Sequence, residues 1–459
     1  MKSVRQPLPI PTLPFQAPQF IEGLAARQAA AALLGAVVDH HLNLDGLLDS
    51  DTAPAPWRAL DNARDRALAL AIVKSALRFR GTISQLVFSM LENPLPQNAR
   101  NVRHILHVGI AQIFLLRVPE SAAVNLAVEA ANRDPQTKRY ANLVNAVLRG
   151  LIREGDIAFE AAKAKSVEAP DWLFQALVDD YGDFSAREIL NANRTEAPLD
   201  FTVKADVAHW AEKLGGLVLN DTTVRVAHGQ TQVPELEGFI EGAWWVQDAA
   251  AALPVKLFGD IKGQHILDMC AAPGGKTAQL AQAGAFVTAL DVSKNRLKRV
   301  AENMERLALT AQIIVGDARK YGVDTPYDGV LIDAPCTSTG TLRRHPDVAW
   351  TKTADDVVQL ARIQFELLDA AMRLVRPGGI IVYANCSLLK AEGEFLIKRW
   401  LTTRNDVAVE AVTKNRDDAM AIYADPDGFL RTTAQSFNHS DPLFSGMDGF
   451  FAARLRKVI

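Results

Sequence analysis

The chain has 459 residues, which is too long for one compact core and predicts two to four domains. Apolar residues make up 49% and charged residues 22% of the sequence, values that exclude a disordered, collagen-like or coiled-coil protein. Its three cysteines cannot build a disulfide scaffold, and the longest apolar run, residues 29–38, is far shorter than the ~20 residues that span a bilayer. We therefore expect a cytoplasmic protein with no membrane segment.

The first half of the chain is predicted to be helical. Residues 1–19 are rich in proline and predict an N-terminal tail. Between residues 20 and 155 apolar side chains recur every three or four positions, which predicts an all-α domain with helical runs at 25–40, 63–78, 83–91, 102–116 and 141–152. Nine Lys and Arg but three acids lie between residues 58 and 117. This excess suits a phosphate backbone and is equally typical of an ordinary solvated helix face.

The second half mixes strands and helices. Residues 156–237 predict a small α/β connector, with helices near 171–181, 184–193 and 206–214 and strands near 200–203, 217–219 and 224–226. In residues 238–459 strands alternate with helices, which predicts a doubly wound, Rossmann-like α/β domain. Strands are expected at 265–269, 286–291, 311–317, 327–333 and 379–386, and helices at 295–309 and 355–375. Ligands of such sheets bind beyond the carboxyl ends of the strands.

A glycine-rich turn follows the first of these strands. The sequence Asp268-Met-Cys-Ala-Ala-Pro-Gly-Gly-Lys-Thr277 allows a tight turn at Gly274 and Gly275. It matches neither a P-loop, because residue 270 is Cys, nor the dinucleotide-binding Gly-x-Gly-x-x-Gly. Asp291 and Asp317 end the next two strands, so three strand-end acids suit a ligand with an adenosine and an amino group. S-adenosylmethionine fits this pattern better than NAD. The structural alternatives are a plain strand-to-helix loop for the glycine turn and helix N-caps or turn residues for the acids.

Two cysteines follow the fourth and fifth strands, in Asp333-Ala-Pro-Cys336 and Asn385-Cys386-Ser387. A thiolate can add to carbon 6 of cytosine, which makes carbon 5 able to accept a methyl group. A carboxyl group at ring N3 would stabilise the adduct, and a second thiol or its bound water would remove the carbon-5 proton. The structural alternative is that both cysteines are small buried hydrophobic residues. A metal site is a weaker alternative, because the sequence has no CxxC motif or His pair beside them, and a disulfide is disfavoured in the cytosol.

Several motifs together resemble the RNA cytosine-5 methyltransferase family. They are residues 268–277, 333–340 and 385–387, and Arg343-Arg-His-Pro-Asp347 with Trp350. The chain is most similar to the bacterial Sun/Fmu branch, which acts on small-subunit (16S) ribosomal RNA and joins this domain to a NusB-like helical domain. Segments 122–129 and 143–149 are similar to NusB, residues 245–248 resemble the motif that enters the methyltransferase domain, and residues 448–455 resemble its closing strand.

The resemblance implies roles for individual residues. Cys386 would be the nucleophile, Cys336 would serve product release, and Asp333 would contact the base. S-adenosylmethionine would be lined by the glycine turn and three acids: Cys270, Ala271, Ala272, Pro273, Gly274, Gly275, Lys276, Asp291 on the ribose, Asp317 near the adenine, and Asp333. Arg343, Arg344 and His345 would guide the RNA, and no metal would be involved. From the basic stretch 58–117, Arg78 and Arg80 are further candidates for RNA contact.

The sequence departs from the family pattern at two places. Glu392-Gly-Glu394 stands where the family has Glu-Asn-Glu, and Asn385 replaces the more usual Thr before the cysteine. Neither change removes a reacting group. The expected partner is small-subunit ribosomal RNA, naked or in a partly assembled particle, and the expected state is a monomer. The alternatives are the same chemistry on transfer RNA, and an RNA-binding protein whose methyltransferase domain is vestigial.

Overall fold

The computed structural model describes residues 21–48, 50–227, 232–412 and 418–458, so the predicted tail at 1–19 lies outside it. Among these residues no helix is long and apolar enough to cross a membrane. The N-terminal part is all-α, as predicted. Its helices are α1 (Leu24–His40), α2 (Leu44–Leu48), α3 (Ala55–Arg58), α4 (Ala63–Arg78), α5 (Arg80–Ser89), α6 (Arg100–Ile110), α7 (Glu120–Arg133) and α8 (Ala141–Lys165).

Apolar seams and local caps fix these helices. The Asn62 side chain accepts a hydrogen bond from the Asp65 amide and caps α4. Residues at helical spacing then form one buried core: Leu33, Leu34, Ile72, Leu106 and Leu148. Helix α7 was not predicted, because its buried positions are mostly alanine and give little periodic contrast.

Helix α8 runs past the predicted domain boundary at residue 155. The backbone leaves the helical region at Gly155, with φ 68°, and the helix then continues to Lys165. Phe159 and Ala162, beyond the kink, are buried in the core of the helical domain. The helical unit therefore includes these residues.

The connector divides into two parts. Helices α9 (Asp171–Tyr181) and α10 (Asp183–Ala192) pack against Leu342, Val348 and Leu388 of the methyltransferase-like domain. The remaining elements are β1 (Leu199–Val203), α11 (Val207–Leu214), β2 (Leu217–Val218), β3 (Thr223–Val226) and β4 (Trp244–Val246). The four strands form an antiparallel sheet of order β2-β3-β1-β4. Strand β4 lies beyond residue 237, so this sheet takes a strand from the segment predicted to open the C-terminal domain.

The C-terminal domain is a Rossmann-like α/β sheet with helices on both faces. Its elements are α12 (Ala249–Lys256), β5 (His265–Met269), α13 (Gly275–Gln282), β6 (Phe286–Asp291), α14 (Lys294–Arg306), β7 (Gln312–Val315), β8 (Tyr327–Asp333), α15 (Val348–Thr351), α16 (Ala354–Leu374), β9 (Val375–Asn385), α17 (Glu394–Leu401), β10 (Val407–Val409), α18 (Asp418–Ala421), β11 (Leu430–Thr432) and β12 (Phe450–Lys457). The predicted strands at 265–269, 286–291 and 327–333 are confirmed to the residue.

The sheet order is β10-β12-β9-β8-β5-β6-β7. Strands β5 to β9 are mutually parallel, whereas β12 runs antiparallel between β9 and β10, and β11 pairs with it. Asp333 of β8 is in register with Ala384 of β9. The two cysteine-bearing loops therefore leave the sheet side by side.

Candidate active site

The glycine turn joins β5 to α13. Gly274 has φ 103°, a left-handed conformation that favours glycine, and directly precedes α13. Beneath the turn, the fully buried Asp268 accepts a 2.6 Å hydrogen bond from Thr277 Oγ1. Burial raises the pKa of Asp268 to about 7, and its second carboxylate oxygen has no partner among the described residues.

A cavity of about 250 Å³ opens beside this turn, at the carboxyl ends of the strands. Asp291 and Asp317 line one side, and Pro335, Ile363 and Leu367 give it an apolar wall. Acids opposite an apolar slot suit a nucleoside, because its hydroxyl groups need acceptors and its base needs an apolar surface. The cavity and the buried acid therefore fit S-adenosylmethionine.

The two lining acids are held differently. Asp291 is buried and accepts hydrogen bonds from the Ala272 amide at 3.2 Å and the Ser293 amide at 2.8 Å. Asp317 forms a two-pronged ion pair with Arg319, with distances of 2.9 and 2.8 Å. The hydrogen bond from Arg319 lowers the pKa of Asp317 below its usual value.

Asp333 is ion-paired at the end of β8. Lys276 Nζ, from the glycine turn, lies 2.9 Å from Asp333 Oδ2 and 4.8 Å from the centre of the Phe450 ring. Lys276 is buried, while about 29% of the Asp333 side chain is exposed. The ion pair thus joins the cofactor turn to the cysteine loop and leaves the carboxylate partly exposed.

The two cysteines are in direct contact. Cys336 Sγ lies 3.5 Å from Cys386 Sγ, and Ser338 Oγ is 3.9 Å from Cys336 Sγ. The hydrogen bond between the two sulfur atoms lowers the pKa of Cys386 and raises that of Cys336 well above the ordinary value. Of the two thiols, Cys386 is therefore the one that ionises more readily. Cys270 differs, because burial raises its pKa to about 12.

The departures from the family pattern have structural reasons. Asn385 Nδ2 donates to the Glu392 carbonyl at 2.7 Å, and its Oδ1 accepts from the Ser387 amide at 2.9 Å. A side chain at Gly393 would place its Cβ 2.9 Å from the Phe451 ring. Asn385 therefore braces the loop of the neighbouring cysteine, and residue 393 has no room for Asn.

Most of the side chains predicted to contact RNA have partners inside the protein. Arg78 donates to the carbonyls of Asn193 at 2.9 Å and Arg343 at 2.8 Å, and Arg343 itself is 3% exposed. Arg344 pairs with Asp248 at 2.5 Å and with Asp448 at 3.1 Å. These guanidinium groups are engaged inside the protein, where they join domains, because partly buried cations require such partners.

Arg80 and His345 belong to the same junction. Arg80 lies over the Trp350 ring at 5.2 Å, and the indole of Trp350 donates to the Leu77 carbonyl at 3.1 Å. His345, with 44% of its side chain exposed, pairs with Asp45 at 3.3 Å. The segment 343–350 therefore docks the catalytic domain onto α2, α4 and α5, a role that local sequence spacing does not reveal.

Sequence reasoning missed two residues behind the cysteines. Glu392 is fully buried and accepts hydrogen bonds from Thr337 and Ser387, the residues that follow Cys336 and Cys386. Arg431 pairs with Glu394 at 2.6 Å and donates to the Ser387 carbonyl at 2.6 Å. The Glu-Gly-Glu motif was the available signal for Glu392, whereas Arg431 carried none.

Comparison with known proteins shows the family to which the chain belongs. Residues 257–456 match the family model described as 16S rRNA methyltransferase RsmB/F, and residues 24–153 match the NusB family. Ribosomal RNA small subunit methyltransferase B of Vibrio cholerae is 35% identical over 94% of this chain and 97% of its own length. The protein of that name from Xylella fastidiosa strain Temecula1 is 35% identical over 95% and 99%.

A solved structure extends the likeness of fold to nearly the whole chain. The crystal structure of PH0851 superposes with a TM-score of 0.69 at 23% identity, covering 96% of this chain and 100% of that one. The helical domain, the connector and the catalytic sheet thus recur together in a known fold. By sequence and by site, the chain belongs to the 16S rRNA methyltransferase RsmB/F family and is an S-adenosylmethionine-dependent rRNA methyltransferase.

Proposed function

We propose that the chain methylates carbon 5 of a cytosine in 16S ribosomal RNA through a covalent bond between Cys386 and carbon 6 of the base. The observation that carries this proposal is the 3.5 Å contact between the two cysteines beside Asp333. The names of the relatives, small-subunit ribosomal RNA methyltransferases, favour this RNA over transfer RNA. The intact motif residues argue against a vestigial domain.

Each residue of the site has its own role in the proposed reaction. The Cys386 thiolate adds to carbon 6, and the ring electrons move to carbon 5. Bound S-adenosylmethionine supplies the methyl group that carbon 5 accepts. Asp333, held by Lys276, contacts the ring and stabilises the adduct. The carbon-5 proton then passes to Cys336 or to a water that it binds, and the sulfur–carbon bond breaks to return the thiolate of Cys386.

The cofactor and substrate requirements follow from the same groups. The turn Cys270–Lys276 would line S-adenosylmethionine, with Asp291 on its ribose and Asp317 near its adenine. The target cytosine must leave its stack to reach a thiol at the strand ends. Both thiols must stay reduced, which supports a cytoplasmic location.

Two variants test the mechanism. Cys336→Ala should accumulate a covalent protein–RNA adduct, because the adduct forms but is not released, whereas Cys386→Ala should form none. Denaturing gel electrophoresis with labelled ribosomal RNA measures both. Methylation at the wild-type rate by both variants would contradict the mechanism.

A second experiment tests the substrate. Sequencing of bisulfite-treated RNA from a strain that lacks this protein should show one cytosine of 16S ribosomal RNA that has lost its methyl group. Loss of a methyl group from transfer RNA instead would support the alternative substrate.

A further inference from the structure

One buried carboxylate connects the two cysteine loops. Glu392 has no exposed surface, although its backbone lies in the segment between β9 and α17. Its Oε1 accepts hydrogen bonds from the Thr337 amide and Gln364 Nε2, both at 3.0 Å. Its Oε2 accepts from the Thr337 hydroxyl at 2.5 Å and the Ser387 hydroxyl at 2.6 Å.

These partners flank both sulfur atoms. Thr337 follows Cys336, and Ser387 follows Cys386. Gln364 also donates to the carbonyl of Pro335, the residue before Cys336, at 2.9 Å. On the other side, the Glu392 carbonyl accepts from Asn385, the residue before Cys386. Glu392 therefore bonds the chain on both sides of Cys386, and on both sides of Cys336 when its contact with Gln364 is included.

The contacts of Glu392 suit a side chain that only accepts hydrogen bonds. All four groups around its carboxylate can donate, and a carboxylate offers an acceptor to each of them. Bonds of this kind to a buried charge are about twice as strong as neutral ones. In a Glu392→Gln variant, the amide NH2 group would replace one of the two acceptor oxygens. Its N–H groups would then face the hydrogen-bond donors that this oxygen serves.

We infer that Glu392 is a positioning residue that holds Cys336 and Cys386 in contact by tying Thr337 to Ser387. The inference rests on the proposed function for its catalytic meaning, since the contact between the thiols is what the mechanism uses. The carboxylate of Glu392 also acts electrostatically on Cys336. The raised pKa of Cys336, caused first by its hydrogen bond with Cys386 and by burial, is raised further by Glu392.

The test compares Glu392→Gln with a matched control, Glu168→Gln. Glu168 is also a buried carboxylate, 5% exposed, and it accepts from the Gly81 amide at 2.7 Å and the Thr82 hydroxyl at 2.5 Å. It lies between α8 and α9, outside the cysteine loops. Both variants should lose stability, but only Glu392→Gln should disturb the cysteines.

The first readout needs neither RNA nor cofactor. Diamide oxidises two adjacent thiols to a disulfide and takes up their two electrons and two protons. In the full-length protein, cross-linking of residues 336 and 386, followed by peptide mass spectrometry, should be about tenfold slower in Glu392→Gln and unchanged in Glu168→Gln. A wild-type protein that fails to cross-link, or a Glu392→Gln variant that cross-links at the wild-type rate, would overturn the inference.

The second readout is catalytic. A misplacement of about 1 Å can cost about 100-fold in rate, so kcat of Glu392→Gln should fall by about 10- to 100-fold. The KM for S-adenosylmethionine should stay within about twofold, because the cofactor cavity is unchanged. An equal loss in Glu168→Gln would reduce the effect to general destabilisation and overturn the inference.

A conservative pair covers the case in which Glu392→Gln does not fold. Thr337→Ser keeps the hydroxyl donor to Glu392 and should keep cross-linking and kcat near wild type, whereas Thr337→Val has the same shape without the donor and should lose both. Equal behaviour of the two variants would overturn the inference. If Cys386→Ala still methylates RNA, the proposed function fails while the cross-linking result stands, so the two failures are distinguishable.

Discussion

At the scale of single residues, the site depends on charges that are paired inside the protein. Lys276 and Asp333 join the cofactor turn to the cysteine loop. Arg344 lies between Asp248 and Asp448, which come from the start of the catalytic domain and from the approach to β12. Breaking such a partly buried pair leaves an uncompensated charge, so these residues contribute to stability through their partners.

Arg344→Ala should lower the free energy of unfolding by about 3–5 kcal/mol, because two buried carboxylates would lose their cation. Urea denaturation measures this loss. The control is Arg362→Ala, which removes an exposed pair with Glu366 and should change the value by at most about 0.5 kcal/mol. Unchanged stability together with weaker, less salt-dependent RNA binding would restore Arg344 as an RNA contact.

Residue identity alone could not predict these pairings. The motif Arg343-Arg344-His345 looks like an RNA-binding cluster because cations in a loop are normally solvated. The partners of Arg344 lie 96 and 104 positions away in sequence, and local spacing carries no information about which distant carboxylate will be nearest. The cysteines were predictable because each lies within three residues of the end of a strand, Cys336 after Asp333 and Cys386 after Asn385.

At the scale of elements, the catalytic loops are packed against the last strand. The Gly340 amide donates to the Cys386 carbonyl at 2.8 Å, and the Gly340 carbonyl accepts from Gly449 at 2.8 Å. A Cβ at Gly340 would lie 1.9 Å from the Gly449 carbonyl oxygen. The close approach of these two backbones therefore requires glycine at residue 340.

Gly340→Ala should separate the Cys336 loop from the start of β12 and lower both kcat and the free energy of unfolding, by about 1–3 kcal/mol for the latter. Activity assays and thermal unfolding measure the two effects. Gly322→Ala is the matched control, since nothing lies within 4 Å of its added Cβ, and it should be neutral. Equal effects of the two substitutions would show that the contact at Gly340 is unimportant.

Helices and strands were predicted well where apolar residues recur with a strong period. They were predicted poorly where pairing or packing with distant elements decides the structure. The parallel strands and the helix at 355–375 were predicted from their apolar patterns and from the glycine and proline residues that bound them. Strand β4 was missed because three residues, Trp244–Val246, form a strand through pairing with β1. The extension of α8 past Gly155 depends on Phe159 reaching the helical core, which no local signal indicates.

At the scale of the whole molecule, the helical domain is docked firmly on the catalytic domain. The Leu44 amide donates to Asp347 at 3.0 Å, and His41 Nδ1 lies 3.0 Å from the Trp350 carbonyl oxygen. The pair of His345 with Asp45 completes this contact. The hydrogen bond raises the pKa of His345 and lowers that of Asp45.

The domain contact should therefore depend on pH. The His345 contribution is complete below pH 6.5, its ordinary pKa, and is lost as pH rises through the raised value. The Asp45 contribution is present above pH 3.8 and is lost as pH falls through the lowered value. The Tm difference between wild type and Asp45→Asn should thus be largest near pH 6 and shrink by pH 9.

A second pair supplies the control for this experiment. Asp183→Asn removes an exposed pair with Arg187, whose charge does not titrate, so its Tm difference should stay flat between pH 6 and pH 9. A flat difference for Asp45→Asn as well would show that His345 does not carry the contact.

The placement of β12 inside the sheet has a consequence for synthesis on the ribosome. Residues 450–457 are made after all the other strands, yet they sit between β9 and β10 and bring Phe450 against Lys276. The helical domain can fold early, because its contacts are local and its residues emerge first. The catalytic sheet must wait for its last strand, so a nascent chain acquires its folded helical domain well before its thiols have their final surroundings.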